Sequence, residues 1–209
     1  VCWRSYFERM WMLVGMENLF EGIYLYPDKI ALLDEFLCNY TLALIDRWGE
    51  VGVDGIYLAD DWGSQSSTLI SPDKFRMLFK ESYRKMFAKI HDYDMYTFFH
   101  SDGNIIELIE DFIEIGLDVL NPLQSSAIDM KEAARRFGGR ICFMGGIDVQ
   151  HKLTEYSPGE IYQYLIKTVE TLGSFNGGYI ACPDNTIMPE TSIANIRAIN
   201  QAVTLYNDS

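Results

Sequence analysis

Short apolar runs alternate with longer stretches whose apolar positions recur at helical spacing, and this alternation repeats along the whole chain. Five runs read as strands: Gly55–Ala59, Met95–Phe99, Leu117–Leu120, Ile141–Met144 and Gly178–Cys182. Met10–Val14 reads as a sixth, weaker one. Between them the spacing predicts helices over Ser71–Ile90, Asn104–Ile115, Met130–Phe137, Ser157–Leu172 and Ser192–Tyr206. Ser71-Pro72 and Ser157-Pro158 pair an N-cap residue with proline at the first helical position, and Gly116 supplies a stop. Upstream, Pro27–Trp48 reads as a long amphipathic helix and Glu17–Tyr24 as a shorter one. Continuously apolar strands alternating with helices imply a parallel sheet covered by helices. No linker or low-complexity stretch interrupts the pattern, so residues 1–209 are expected to form one α/β domain. An open doubly wound sheet and a (β/α)8 barrel both fit, although a closed barrel needs eight strands.

The polar residues gather just after the strands. They are Asp60-Asp61-Trp62-Gly63-Ser64-Gln65, then His100-Ser101-Asp102-Gly103-Asn104, then Asn121-Pro122-Leu123-Gln124, then Gly145-Gly146-Ile147-Asp148, and last Pro183-Asp184-Asn185. In parallel α/β folds that edge is where sites are built. His100 is one of three histidines and the only one at a strand end. Asp102, two residues on, can face the same cavity. Asp60 and Asp61 must point to opposite sides, so one faces the site and the other binds backbone amides. Trp62 reads either as a stacking surface or as an aromatic lid over the core, and Gly145-Gly146 either as tight backbone packing or as room for a substrate. His91 and His151 fall on or near helices and are expected to face solvent.

Composition narrows the function classes. The 17 basic and 30 acidic residues give a net charge of −13. With no basic cluster, nucleic acid and anionic membranes are unsuitable partners. No apolar run approaches the ~20 residues that span a bilayer. The four cysteines form no metal-type or disulfide-type spacing and read as free thiols of a cytoplasmic protein. The chain begins with Val1 and shows no signal peptide, so it is expected to be part of something longer. There is no glycine-rich phosphate loop, no Walker lysine and no G-x-S-x-G elbow, which argues against dinucleotide, nucleotide and serine-hydrolase chemistry.

At these residues the sequence resembles the uroporphyrinogen decarboxylase superfamily, which includes cobalamin-dependent methyltransferases. The matching stretches are Asp60–Gln65, Ile70-Ser-Pro72 with Phe75, Phe99–Asn104, Gly116–Gln124, Phe143–Asp148, and Pro189-Glu-Thr191 with Asn195. The resemblance implies a (β/α)8 barrel, of which this chain would hold the C-terminal part with about six of eight strands. Decarboxylase members place a histidine where this chain has Asn185. Methyltransferase members hold zinc with a His-x-Cys pair and a distant cysteine. Here His100-x-Asp102 aligns with the pair, and Cys182 lies three residues from the distant position; Glu17 is an alternative third ligand.

The resemblance thus implies a corrinoid-linked methyltransferase, with the cobamide on a separate corrinoid protein and a small molecule or thiol as its other substrate. Zinc would be held by His100, Asp102 and Cys182. His100, Asp102 and Asp60 would carry catalysis. Asp61, Trp62, Gln65, Asn121, Gln124, Gly146, Asp148 and Asn185 would line the substrate. The alternatives are a tetrapyrrole decarboxylase, a lyase of porphyrin biosynthesis, and a silent fragment that dimerises through open sheet edges.

Overall fold

The computed structural model describes residues 2–175 and 178–207. By its contacts the chain divides into two compact units, Val1–Val119 and Leu120–Ser209. The sequence shows no linker because the division falls inside a strand.

Among the described residues, the first unit contains three strands, β1 (Cys2–Trp3), β2 (Gly55–Ala59) and β3 (Tyr96–His100). They pair in parallel and in that order, with Tyr57 opposite Phe98 and Ala59 opposite His100. The pleat turns Tyr57, Phe98 and His100 to one side, while Leu58 and Phe99 are buried on the other.

Six helices accompany these strands: α1 (Phe7–Val14), α2 (Met16–Leu25), α3 (Pro27–Val51), α4 (Pro72–Leu78), α5 (Lys80–His91) and α6 (Ile109–Glu114). Pro27 opens α3, whose buried face carries Ile30, Leu37, Cys38, Thr41 and Ile45. The helix ends at Gly52, which adopts the left-handed conformation. Fully buried aromatic rings fill the core. Phe7 stacks on Trp62 at 3.7 Å, and Phe75, Phe79, Tyr83, Phe99 and Phe112 surround them.

Three expectations change here. Met10–Val14 is helix, not strand: Phe7 and Met10 are buried three residues apart, while Met12, Leu13 and Val14 are exposed in succession. The helix expected over Ser71–Ile90 is two helices, broken at Phe79, whose ring turns into the core against Trp62 and Phe7. The helix expected from Asn104 starts only at Ile109, because Asn104 is engaged with the loop after β2.

The second unit carries most of β4 (Val119–Leu123), then β5 (Cys142–Ile147) and β6 (Tyr179–Pro183). β4 lies beside β5, which pairs in parallel with β6. Its helices are α7 (Met130–Phe137), α8 (Lys152–Glu155), α9 (Pro158–Leu172) and α10 (Ile193–Asn207). Ser157 and Glu160 form a reciprocal capping box on α9, and Asp129 caps α7. Ile147, Leu153, Ile161, Leu165, Ala198 and Ala202 are part of its apolar core.

Candidate functional site

The strongest chemical cluster lies in the first unit, where β2 and β3 end. One ligand atom each from Asp61, His100 and Asp102 falls within 4.8 Å of the others. His100 Nε2 is 3.9 Å from Asp61 Oδ1 and 3.7 Å from Asp102 Oδ2. Its other nitrogen, Nδ1, is 3.0 Å from the Tyr57 hydroxyl, which fixes the ring from behind.

Backbone contacts bring the two loops together. Asp102 N–H donates to Asp61 Oδ1 at 2.9 Å, and Asn104 N–H donates to the Ser64 carbonyl at 2.7 Å. Gly63 and Gly103 meet with no side chain between them. A Cβ on Gly63 would lie 2.6 Å from the Asp102 carbonyl oxygen, and one on Gly103 would lie 2.5 Å from the Gly63 carbonyl carbon. Gly103 also has φ of +85°, which other residues adopt with strain.

The two consecutive aspartates divide as the strand pleat requires, but in the order opposite to the catalytic role assigned to Asp60. Asp60 is fully buried. Its carboxylate accepts the N–H groups of Tyr6 and Glu8 at 3.0 Å and the Tyr83 hydroxyl at 2.9 Å, and so caps α1. Burial pushes its pKa up to about 7, against the lowering effect of these bonds. Asp61 is the half-exposed partner that faces His100, and burial raises its pKa as well.

Trp62 is also withdrawn from any substrate. It is fully buried, donates Nε1–H to Tyr83 Oη at 2.9 Å, and stacks on Phe7. Gln65 is exposed in the same loop.

Glu8, on the first turn of α1, was not singled out by the sequence pattern. Burial, with repulsion from Asp61 and Asp60, raises its pKa to about 7. It can therefore give or take a proton near neutrality. Tyr57 was also missed. Its alternation with His100 across the β2–β3 pair was the available signal, since Tyr57 lies opposite Phe98 and Ala59 opposite His100.

The remaining candidates belong to the second unit. Asp148 is buried, and its Oδ1 accepts the N–H groups of Gln150 and His151 at 2.9 and 3.0 Å, fixing the turn before α8. Asn121 is buried and donates to the Met144 carbonyl on β5. Gln124 donates Nε2–H to Ser126 Oγ at 3.1 Å. Gly146 does not open space for a substrate: a Cβ there would come within 3.1 Å of Thr168 and 3.3 Å of Leu172 on α9. Asn185 is exposed just after β6.

Cys182 is not in the cluster of three. Burial, then the nearby Asp184 charge, raises its thiol pKa, which disfavours the thiolate a metal requires. The third member of the cluster is Asp61. Cys38, Cys142 and Cys182 are free thiols. His91 and His151 are partly exposed, beside Asp118 and Asp148. No helix among the described residues is long and apolar enough to cross a membrane.

An imidazole nitrogen and two carboxylates on one small opening suit a divalent cation of borderline or hard character. The donor set contains no sulfur and so differs from the His-x-Cys arrangement that the resemblance implied.

Comparison with known proteins agrees with this fold. Residues 5–206 match the family model described as uroporphyrinogen decarboxylase (URO-D). Curated uroporphyrinogen decarboxylases from strains of Coxiella burnetii are 24% identical over 186 residues, covering 87% of this chain and 48% of theirs. The chain thus spans about half the length of the curated relatives it matches.

Among solved structures, a methyltransferase from Methanosarcina mazei superposes with a TM-score of 0.73 at 19% identity, over 92% of this chain and 54% of that one. A dihydropteroate synthase from Anaplasma phagocytophilum gives a TM-score of 0.53 at 20% identity, over 82% and 69%. These likenesses agree with the α/β, (β/α)8-barrel fold class, here with six strands among the described residues. With nearly its whole length inside the family model, the chain belongs to the uroporphyrinogen decarboxylase (URO-D) family.

Proposed function

We propose that this URO-D family chain serves a cytoplasmic, corrinoid-linked methyltransferase, with the Asp61–His100–Asp102 cluster as its zinc-binding centre. The observation that carries the reading is the cluster itself: three ligand atoms from two strand ends within 4.8 Å, with Tyr57 orienting the imidazole from behind. The methyltransferase among its structural neighbours supports the same reading.

A bound zinc ion would lower the pKa of a thiol or hydroxyl acceptor so that its anion attacks a methyl group. The chain's own residues then have definite tasks. His100 Nε2 and one oxygen each of Asp61 and Asp102 would hold the ion. With Nε2 engaged, the ring proton would reside on Nδ1, 3.0 Å from Tyr57 Oη. Glu8, whose pKa burial and the nearby Asp61 and Asp60 charges raise to about 7, would take up a proton released by the acceptor. Gln65, exposed in the loop after β2, would contact a neutral or cationic substrate.

The rival reading is decarboxylation of a tetrapyrrole polycarboxylate, the activity named for the curated relatives. The site's charges oppose it. Glu8, Asp61 and Asp102 are acidic, whereas Arg76 and Arg84 are engaged on the helix surface with Asp111 and Glu81.

Two measurements test the proposal. Protein purified without added metal should contain zinc by elemental analysis, and His100→Ala should reduce zinc affinity by about a hundredfold or more. Less than about a tenth of an equivalent, with no uptake on titration, overturns the metal centre. Methyl transfer is read from the absorbance change of a reduced cobalamin mixed with a methylated thiol or amine. Release of carbon dioxide from a tetrapyrrole octacarboxylate, without methyl transfer, reverses the ranking.

A further inference from the structure

A second site, unrelated to the Asp61–His100–Asp102 cluster, lies wholly within the second unit. A cleft of about 940 Å³ opens between the start of α7, Lys152 of α8 and one face of α9 along most of its length. That volume falls in the range of small-molecule sites. Lys131, Lys152 and Lys167 line it, three of the eight lysines of a chain whose net charge is −13. None of the three makes an ion pair among the described residues, whereas Lys80 and Lys89 on the first unit are paired with Asp111 and Asp46.

Two carboxylates also border the cleft, but both are committed to helix starts. Asp129 accepts the Glu132 N–H on α7, and Glu160 accepts from Ser157 N–H and Oγ on α9. There the helix dipole offsets their charge. The lysine charge is therefore left to face the opening.

The cleft also has an apolar wall. Tyr156 and Tyr164 meet edge to face at 6.5 Å, and Lys152 Nζ sits 4.3 Å above the Tyr164 ring. Tyr164 is anchored from below: its hydroxyl donates to the Gly146 carbonyl and lies 3.3 Å from Ser125 Oγ. This side of the cleft is thus a fixed platform rather than a mobile surface ring.

Three unneutralised ammonium groups beside two tyrosine rings form a recognisable pattern. Lysine binds anionic oxygens as a point charge, and the rings receive a flat or apolar body. We infer that this cleft binds a small organic polyanion, one whose phosphate or carboxylate groups sit among Lys131, Lys152 and Lys167 while its body lies against Tyr156 and Tyr164. The absence of a glycine-rich loop sets this apart from a nucleotide-type phosphate cradle, in which backbone amides do the work.

Calorimetric titration of the full chain with pyrophosphate and, separately, with citrate tests the site. Saturable binding is expected for at least one of them, weakening steeply with added salt. Binding of pyrophosphate alone assigns phosphate ligands, and binding of citrate alone assigns carboxylates. Lys152→Gln, and the double variant Lys131→Ala with Lys167→Ala, should each weaken binding by about tenfold. His100→Ala should leave it unchanged, which separates this site from the metal centre. Lys131 and Lys167 are exposed, so their removal leaves the fold intact even if Lys152→Gln disturbs the Tyr164 platform. Failure of both probes to bind, or equal binding by the lysine variants and the unaltered chain, overturns the inference.

Discussion

The strand ends of the two units carry similar residues to different effect. After β2 and β3, Asp61 and Asp102 turn toward one imidazole, and Asp61 Oδ1 accepts the Asp102 N–H. After β5 and β6, Asp148 spends an oxygen on two amides of its own turn. Asp184 accepts both N–H and Oγ–H of Ser125 at 3.0 Å. Both units also hold a buried carboxylate whose pKa burial raises, Asp60 to about 7 and Asp184 to about 6. The lesson is that a carboxylate's role depends on what already occupies its lone pairs. Where amides and hydroxyls take them, the group shapes backbone. Where another acid and an imidazole face it, as at Asp61, it joins a cluster of the kind that holds a ligand.

Asp60→Ala is the sharpest way to break this contrast. It should cost ~3–5 kcal/mol of stability, because it orphans buried amides at α1 and the Tyr83 hydroxyl. Chemical denaturation reads the loss. A loss below about 1 kcal/mol would mean that Asp60 does not hold the backbone it touches.

Gly63→Ala should come next, at ~1–3 kcal/mol, since its new methyl meets main chain rather than a movable side chain. Denaturation midpoint and zinc affinity should fall together, as the loops that present Asp61 and Asp102 are forced apart.

Tyr57→Phe is a milder test. Stability should change little, and zinc affinity should drop by about tenfold as the imidazole loses its outer partner. Unchanged affinity would remove Tyr57 from the site.

The smallest effect is the dependence of melting temperature on pH. Asp60, Glu8, Asp34 and Asp184 all have folded pKa values raised to about 6 or 7 by burial. The folded chain therefore holds protons that the unfolded chain has released, and stability falls as pH rises from about 4 toward 7. Asp111 and Asp118 have lowered values, which act only below about pH 4. A scan from pH 8 to pH 5 should raise the melting temperature by about 2–4 °C for each kcal/mol gained. Asp60→Asn should flatten that rise.

Much of this architecture was legible in the alternation of apolar runs. All five strands expected from the apolar runs are present, because a short apolar run bounded by polar residues leaves a plain mark even where one face is only partly buried. Met10–Val14 misled because a five-residue apolar run fits either period, and exposure of Met12, Leu13 and Val14 decides it only in three dimensions. His100 and Asp102 were readable from their place after a strand. The choice between Asp60 and Asp61 was not. Alternation says that the two differ, but only the return of the chain at Tyr6 and Glu8 says which one is taken. Glu8 lies 52 residues from Asp60, so no local spacing marks it.

The contact of Gly63 with Gly103 has one more consequence. Where main chain meets main chain, there is no rotamer to adjust and almost no slack. Whatever enters between Asp61, His100 and Asp102 meets an aperture of set width. Such an aperture sorts its guests by radius before it sorts them by charge, and it leaves evolution few ways to retune that preference other than remaking the two loops together.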